Sequence, residues 1–219
     1  MIKKLQALKA KKGFTLVELV VVIAIIGVLA AILVPTMIGV VQDSNITSAD
    51  STASQIKTQA TNFLTKADTA KQSIRNTSDL VTVKCTIGAS GSTEGSATNK
   101  WDVAVDKTEC KFGANGDKWT WTGTDKNTSF DCYMADVLRD FKSGYAEIYV
   151  LDAAVIGVVV VPGGAAADID AEKMGFTVAD KDLWTKQEAT WAGNKGGVTK
   201  DSVIIGTAPK IQHVTKAAS

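Results

Sequence analysis

The sequence has little of what an active site usually needs. Its 219 residues include a single histidine, His213, and three cysteines that form no Cys-x-x-Cys pair. The sequence therefore has too few histidine and cysteine side chains for a typical zinc site or a histidine-based catalytic triad. The sequence also lacks a glycine-rich phosphate loop, a nucleophile elbow and a paired carboxylate motif. We therefore predict that the chain is not an enzyme and that it uses no cofactor.

The chain has almost no excess of either charge. The formal net charge is +1, although the first thirteen residues hold five lysines and no acid. The other 206 residues carry 19 basic side chains against 23 acidic ones. This weakly acidic remainder lacks the overall electrostatic footprint of a nucleic-acid-binding protein, so we assign no nucleic-acid partner.

A long apolar run near the N-terminus is the most informative feature. Residues 19–34 include no polar side chain, and residues 14–41 contain one charge, Glu18. As a helix rising about 1.5 Å per residue, residues 14–41 are long enough to cross a hydrocarbon core of about 30 Å. Lysines precede this run but do not directly follow it, which predicts a cytoplasmic N-terminus and an exported remainder.

Two common kinds of segment explain this run only in part. A secretory signal peptide has a shorter apolar core followed by a small-residue cleavage site. The Ala30-Ala31 pair offers such a site, but the run is longer and carries an acid. An ordinary signal anchor explains the length and the lysines but not Glu18, because a carboxylate in a transmembrane helix is costly and usually functional.

A third explanation rests on particular residues. Residues 11–18 read KKGFTLVE, and an unbroken apolar run and Pro35 follow them. The motif combines a basic leader, a Gly-Phe junction, a glutamate four residues beyond that phenylalanine, and a late proline. Over about residues 11–41 it closely resembles the class III leader and N-terminal helix of type IV pilins. The resemblance implies that prepilin peptidase cuts between Gly13 and Phe14 and that the new α-amine of Phe14 is methylated.

The resemblance also gives Glu18 a role in subunit assembly. In a packed filament the N-terminal helices would form a dry core, where an unpaired carboxylate is strongly penalised. The positive α-amine of Phe14 on a neighbouring subunit can neutralise Glu18, and the pair also sets the axial register between subunits.

Pro35 predicts a local change in this helix. Proline has no backbone N–H, so the carbonyl of Ala31 loses its helical partner and a kink or a locally melted turn is expected. In type IV pilins this part of the helix can unwind on assembly. A simple proline kink in a membrane helix is the alternative.

The polar sequence after residue 41 keeps one regular apolar stripe. Its members recur at spacings of three and four residues, as expected for an amphipathic helix. They are Ile46, Ala49, Ala53, Ile56, Ala60, Phe63, Ala67, Ala70 and Ile74. The stripe fits a coiled-coil seam or a sheet-facing surface, and the strand-rich sequence that follows favours the sheet. We predict one helix from residue 14 to about residue 75, with residues 42–75 as its amphipathic extension.

Residues 76–219 are predicted to form a globular extracellular head. Alternating apolar residues and turn signals predict a mainly antiparallel sheet. The expected strands are 81–87, 101–105, a third strand marked by Trp119 and Trp121, and 202–205. A hairpin is expected from strands 145–151 and 155–161, with its turn at 152–154. The expected helices are 130–141 and 180–191. The predicted fold class is α+β, a type IV pilin-like long helix packed on an antiparallel sheet, after a cleaved leader of residues 1–13.

The three cysteines allow one disulfide, and three reduced thiols are the alternative. Cys85 alternates in phase with the apolar residues of its predicted strand and should point into the core. Cys132 lies opposite the apolar face of its predicted helix, and Cys110 lies in a polar segment. We predict a Cys110–Cys132 disulfide that closes a loop of 23 residues.

Three tryptophans have two interpretations. Trp101, Trp119 and Trp121 lie within 21 residues of one another, and the last two are predicted to share a strand face. If exposed, they could stack on sugar rings and make the filament an adhesin. Burial in the core is favoured for so large a side chain.

An acidic stretch has the spacing of calcium ligands. Asp168, Asp170 and Glu172 alternate along the chain, but the stretch lacks the glycine and the spacing of an EF-hand. A solvated acidic loop is favoured, and we assign no metal.

The favoured hypothesis is therefore a structural one. The chain would be a homo-oligomeric filament subunit of a type IV pilus that supports adhesion or surface motility, held in the cytoplasmic membrane before a pilus assembly platform adds it to the filament. A pseudopilin of a type II secretion or DNA-uptake system shares the whole N-terminal motif. A membrane-tethered polysaccharide-binding adhesin is the alternative of another class.

Overall fold

The structure is a computed structural model of the 219-residue chain and describes residues 14–72, 79–88, 100–106, 112–113, 116–121, 127–193 and 195–215. Its internal contacts divide the chain into two compact units, Met1–Ser44 and Asn45–Ser219. The first unit contributes the start of a long helix, and the second contains the end of that helix together with a sheet.

The first helix, α1, spans Leu16–Thr69 and is continuous through Pro35. It ends where the chain turns at Lys71, which has a positive φ of 61°. The N–H of Gln72 then donates to the carbonyl of Ala67 at 2.8 Å. The predicted helix is confirmed, but its end at about residue 75 is wrong because this left-handed turn stops it earlier.

The remaining elements follow in chain order after α1. They are β1 Val81–Gly88, β2 Lys100–Val105, α2 Phe130–Val137, β3 Gly144–Leu151, β4 Ala154–Pro162, α3 Ala171–Met174, α4 Lys181–Lys186, β5 Glu188–Ala189, β6 Gly206–Ala208 and β7 Gln212–His213. Short 3₁₀ helices occur at Gly116–Lys118 and Ala166–Asp168.

Five of the described strands form one antiparallel sheet in the order β2-β1-β3-β4-β6. The predicted strand β4 is internal to this sheet, as its two apolar faces require. The β3–β4 hairpin turns at Asp152 and Ala153, which both have positive φ values, 47° and 64°. This is the left-handed pair that a tight two-residue hairpin needs. The predicted α+β fold, a long helix followed by an antiparallel sheet, is therefore confirmed.

One face of the sheet packs against the apolar stripe of α1. The stripe from Ile46 to Ala67 is buried, as predicted, and most of it belongs to one core cluster with inward residues of β1 to β4. Phe63 lies at the centre of an aromatic group, with ring centroids 5.1 Å from Phe130 and 5.5 Å from Tyr133. The stripe is thus a sheet-facing surface rather than a coiled-coil seam, although its predicted member Ala70 is exposed and Ile74 lies outside the described residues.

The C-terminal third covers part of the other face of the sheet. Tyr149, Val159 and Val161 on that face form a second buried cluster with α3, α4 and the C-terminal strands. The ring of Trp184 lies 5.2 Å from that of Tyr149, and its indole N–H donates to the carbonyl of Val178 at 2.9 Å. The second unit is therefore a sheet between two apolar layers.

Two predicted strands are wrong. Trp119 has a φ of 51° and follows a 3₁₀ turn, so Trp119 and Trp121 do not share a strand face. Ser202 has a φ of 64°, and the last strand of the sheet begins at Gly206 instead. Both segments are rich in strand-forming side chains, but a left-handed residue breaks the extended backbone in each.

Two predicted helices are shorter than expected. The helix predicted for residues 130–141 ends at Val137, and the one predicted for residues 180–191 ends at Lys186. Gln187 then takes the left-handed conformation, with a φ of 57°, and the chain continues as β5.

Candidate assembly surface on the N-terminal helix

The apolar part of α1 exposes its side chains all round. Every large apolar side chain in residues 14–41 is exposed, from 47% for Val22 to 85% for Phe14. By length and composition this helix could cross a membrane. So large a continuous apolar surface is expected to be covered by lipid or by other protein.

Glu18 and Thr15 cap the start of this helix reciprocally. The backbone N–H of Glu18 donates to Thr15 Oγ1 at 3.2 Å. In return, the backbone N–H and the hydroxyl of Thr15 donate to Glu18 Oε2 at 2.9 and 2.7 Å. This is a capping box, which satisfies donors that the first turn of a helix leaves free. The carboxylate in the apolar segment thus already has a structural task within one chain.

Sequence reasoning missed this role of Thr15. The spacing Thr-x-x-Glu directly before an apolar run is itself the signal for a capping box. The structure therefore adds a partner from the same chain to the partner expected from a neighbouring subunit. Only Oε2 of Glu18 takes part in the capping bonds.

The predicted processing site lies at the edge of what the structure describes. Gly13 lies outside the described residues, and Phe14 is the first of them. Cleavage at this junction and methylation of Phe14 therefore stay predictions.

Pro35 does not interrupt the helix in a single chain. The hydroxyl of the next residue, Thr36, donates to the carbonyl of Leu33 at 2.8 Å and lies 3.4 Å from that of Ile32. These bonds go to carbonyls other than that of Ala31, which is the one that Pro35 leaves without a backbone donor. Local melting near Pro35 stays a prediction about the assembled state.

The tryptophans proposed for carbohydrate contact lie in the core. Trp101 and Trp119 are 2% and 0% exposed, and Trp121 is half-buried with its ring 5.3 Å from that of Phe63. Stacking on a sugar from solvent would require the rings of Trp101 and Trp119 to leave the core. The geometry favours the core interpretation over the adhesin interpretation.

The acidic residues considered for calcium act as local caps. Asp170 accepts hydrogen bonds from the N–H groups of Glu172 and Lys173 at the start of α3. Asp168 accepts one from the N–H of Ala165 at 2.8 Å. Among the described residues, no group of three or more His, Cys, Asp or Glu side chains could hold a metal ion.

The cysteines are only partly described. Cys85 is fully buried in β1, as predicted, and burial raises the pKa of its thiol. Cys132 is half-buried on α2, while Cys110 lies outside the described residues. The Cys110–Cys132 disulfide therefore stays a prediction.

Two family profiles match separate parts of the sequence. The prokaryotic N-terminal methylation motif matches residues 8–34, which include Gly13, Phe14 and Glu18. A domain of unknown function, DUF5021, matches residues 46–212, more than half of the chain. The chain belongs to the DUF5021 family. The segment that precedes this domain is similar to the N-terminal segment of fimbrial and type IV pilus proteins, so the predicted resemblance is confirmed.

Curated relatives match the DUF5021 protein over a short segment. Two fimbrial proteins of Pseudomonas aeruginosa are each 49% identical to it over 53 residues, 24% of this chain and 34% of theirs. The type IV narrow pilus major component PilA5 of Thermus thermophilus is 46% identical over 46 residues, 21% of this chain and 40% of its own. The chain thus spans less than half the length of these relatives. No solved structure matches.

Proposed function

We propose that this DUF5021 protein is the structural subunit of a type IV pilus-like extracellular filament. Its precursor would be inserted in the cytoplasmic membrane through residues 14–41 and cut between Gly13 and Phe14 by prepilin peptidase. Methylation of the Phe14 α-amine would follow, and a pilus assembly platform would add the subunit to a filament of identical chains at the cell surface. Adhesion or surface motility would be roles of that filament.

The observation that carries this proposal is an exposed apolar helix that holds one carboxylate near its start. Residues 14–41 expose their apolar side chains in the single chain, and Glu18 lies in the first turn. Lipid can cover the apolar side chains before assembly, and neighbouring helices can cover them afterwards. Since Oε1 of Glu18 is not used by the capping box, it remains available to the Phe14 α-amine of another subunit.

The sequence relationships support the same proposal. The methylation motif covers the predicted cleavage junction, and the relatives bear the names fimbrial protein and pilus major component. A pseudopilin of a secretion or DNA-uptake system would share this N-terminal segment. The length of the filaments on the cell surface therefore distinguishes a pilus subunit from a pseudopilin. The burial of Trp101 and Trp119 counts against the membrane-tethered adhesin.

Mass spectrometry and electron microscopy of surface filaments test the proposal together. Filaments sheared from expressing cells should contain this chain as their main subunit. Its intact mass should correspond to a chain that begins at Phe14 and carries one added methyl group. A chain that begins at Met1 or after Ala31, or cells that bear no such filaments, would contradict the proposal.

A further inference from the structure

The capping box at the start of α1 fixes the residue at which the helix begins. Phe14 and Thr15 are not helical, and the helix starts at Leu16. In a helix that began one residue earlier, the N–H of Glu18 would donate to the carbonyl of Phe14. Here that N–H donates to Thr15 Oγ1 at 3.2 Å instead. The N–H of Leu19 donates to the carbonyl of Thr15 at 3.2 Å, as expected where Thr15 is the N-cap.

The carboxylate of Glu18 opposes an earlier helix start as well. Its Oε2 accepts hydrogen bonds from the backbone N–H of Thr15 at 2.9 Å and from the Thr15 hydroxyl at 2.7 Å. A helix that continued toward the N-terminus would need the same N–H for the carbonyl four residues earlier. Both halves of the box therefore hold Thr15 as the N-cap and keep Phe14 outside the helix.

The composition of the sequence before the box favours a helix that does not stop there. Residues 4–12 read KLQALKAKK, and alanine, leucine, lysine and glutamine are all strong helix formers. Gly13 alone separates these residues from Phe14, and a single glycine inside a helix is tolerated at a modest cost. By composition alone, one helix could therefore run from the leader through the Gly13–Phe14 junction into α1. The capping box is the feature that stops it.

We propose that the capping box positions the Gly13–Phe14 peptide bond for cleavage by starting α1 two residues after Phe14. A protease needs its scissile bond in an extended segment, because a helix bonds and shields the carbonyl that must be attacked. In a continuous helix the carbonyl of Gly13 would accept from the N–H of Val17.

Thr15 is thus a positioning residue for the processing reaction, and its role rests on the proposed function, in which prepilin peptidase cuts at this junction. Hydrolysis of the bond consumes one water and leaves a carboxylate on Gly13 and a free α-amine on Phe14. The hydroxyl of Thr15 takes no part in that chemistry. It acts through the helix start, which decides whether the bond is open to attack.

The initial rate at which prepilin peptidase cuts the full-length precursor in detergent tests this role. Thr15→Ala removes the hydroxyl and supplies a strong helix former, so the rate should fall about fivefold, the factor expected for the loss of a typical N-cap. Thr15→Ser keeps a capping hydroxyl and should stay within about twofold of the native rate. Thr36→Ala is the matched control, because the Thr36 hydroxyl also bonds to α1, at the carbonyl of Leu33, but far from the junction. It should leave the rate unchanged.

A proline at the first helical position separates positioning from direct recognition by the peptidase. Leu16→Pro should hold the helix start without the box, since proline suits that position and keeps the residue before it out of the helical conformation. In the Leu16→Pro background, Thr15→Ala should therefore change the cleavage rate by less than about twofold. The same loss of about fivefold in both backgrounds would overturn the proposal, because the hydroxyl would then act by contacting the peptidase.

The Cα chemical shifts of the isotopically labelled precursor in detergent give a second measurement, which does not depend on the peptidase. The shifts of Gly13 and Phe14 should be non-helical in the native chain and should move toward helical values in Thr15→Ala. Helical shifts at both residues in the native chain would overturn the proposal, as would unchanged shifts in Thr15→Ala.

Cleavage of the native precursor separates this role from the proposed function. If prepilin peptidase cuts the native chain between Gly13 and Phe14 and cuts Thr15→Ala at the same rate, the proposed function stands and the positioning role is rejected. If the native chain is not cut at this junction, the proposed function fails, and the positioning role fails with it.

Discussion

The carboxylate of Asp50 on α1 accepts a hydrogen bond at 2.9 Å from the backbone N–H of Thr207 on β6. Its other oxygen lies 3.3 Å from Lys210 Nζ. The approach is close because the residue before Thr207 is Gly206, where an added Cβ would come within 2.1 Å of the carbonyl oxygen of Ala49. One side chain of the helix thus fixes the last strand of the sheet.

Removal of that carboxylate should destabilise the head. Asp50→Ala leaves the buried N–H of Thr207 without its acceptor, so we expect the free energy of unfolding to fall by about 2–3 kcal/mol. Asp50→Asn keeps an oxygen acceptor and loses only the charge opposite the exposed Lys210, so it should lose about 1 kcal/mol or less. Urea unfolding of the detergent-solubilised chain, followed by circular dichroism, measures both. Equal losses in the two variants would contradict this account of the hydrogen bond.

Gly157 should not tolerate a side chain. An added Cβ there would lie 2.1 Å from Cδ2 of Trp184, whose ring packs flat against the sheet at this point. Gly157→Ala should therefore displace the indole and lower the free energy of unfolding by about 1–3 kcal/mol. Gly88→Ala is the control, since an added Cβ at Gly88 meets nothing within 4 Å. Tryptophan emission and thermal unfolding should change in the first variant and stay near the native values in the second.

Local patterns predicted the helix stripe and the hairpin because each is recorded in neighbouring residues. The stripe of α1 repeats every three or four residues, and the strands of the hairpin are short apolar runs on either side of a turn. The contact between Asp50 and Thr207 joins residues 157 positions apart, so no local pattern records it. The strand predicted around Trp119 and Trp121 was wrong because a local feature, the large aromatic side chains, was taken as a sign of a strand. Large aromatic side chains favour burial, and burial alone does not require a strand.

The sequence predicted which residues of the N-terminal helix are important, but not the hydrogen bonds around them. Glu18 and Pro35 stand out as a charge and a proline in an apolar run. Thr15, which bonds to Glu18, and Thr36, which follows Pro35 and bonds to Leu33, carry short polar side chains whose bonds become evident only on a folded helix. The Thr-x-x-Glu spacing was a usable signal for the first of them.

Alkaline pH should unfold the head. Burial raises the pKa of the Cys85 thiol and of the Tyr149 phenol above their ordinary values of 9.0 and 10.0, and the nearby Glu147 carboxylate raises both further. A raised pKa in the folded state means that stability is fully present below the unfolded pKa and is lost as pH rises past it. The free energy of unfolding should therefore be flat up to about pH 9 and fall above it.

The variant Tyr149→Phe isolates one of these groups. The Tyr149 hydroxyl donates to Glu147, so its loss should cost about 1–2 kcal/mol at neutral pH. The same variant should lose less stability than the native chain between about pH 9 and pH 11, because one buried phenol no longer has to ionise. Unfolding curves that stay parallel over this range would show that Tyr149 does not contribute to the alkaline transition.

Non-reducing peptide mapping of filaments tests the cysteine prediction. Cys85 is fully buried with a raised thiol pKa, so it should stay reduced and unreactive toward alkylating agents until the head unfolds. A Cys110–Cys132 disulfide should appear as one linked peptide pair, and its reduction should lower the free energy of unfolding by about 3 kcal/mol. A linked pair that contains Cys85, or three thiols alkylated without a reductant, would contradict the prediction.

The two tasks of Glu18 can be separated by substitution. Glu18→Gln retains an oxygen that can accept the capping bonds of Thr15, as glutamine does in other capping boxes, but removes the negative charge. Thr15→Val retains the charge but removes the hydroxyl. If the charge pairs with the Phe14 α-amine of a neighbouring subunit, Glu18→Gln should insert in the membrane and be processed yet form few or no filaments. Thr15→Val should lose about 1 kcal/mol of helix-start stability and still assemble.

Filament yield and membrane fraction, measured side by side, distinguish these variants. Glu18→Val removes both tasks, so it should resemble Glu18→Gln in filament yield while entering the membrane at least as well as the native chain. The opposite result, in which Glu18→Gln assembles and Thr15→Val does not, would assign Glu18 to the helix cap alone. Assembly would then depend on the ordered first turn that Thr15 and Glu18 build together, rather than on a charge presented to the next subunit.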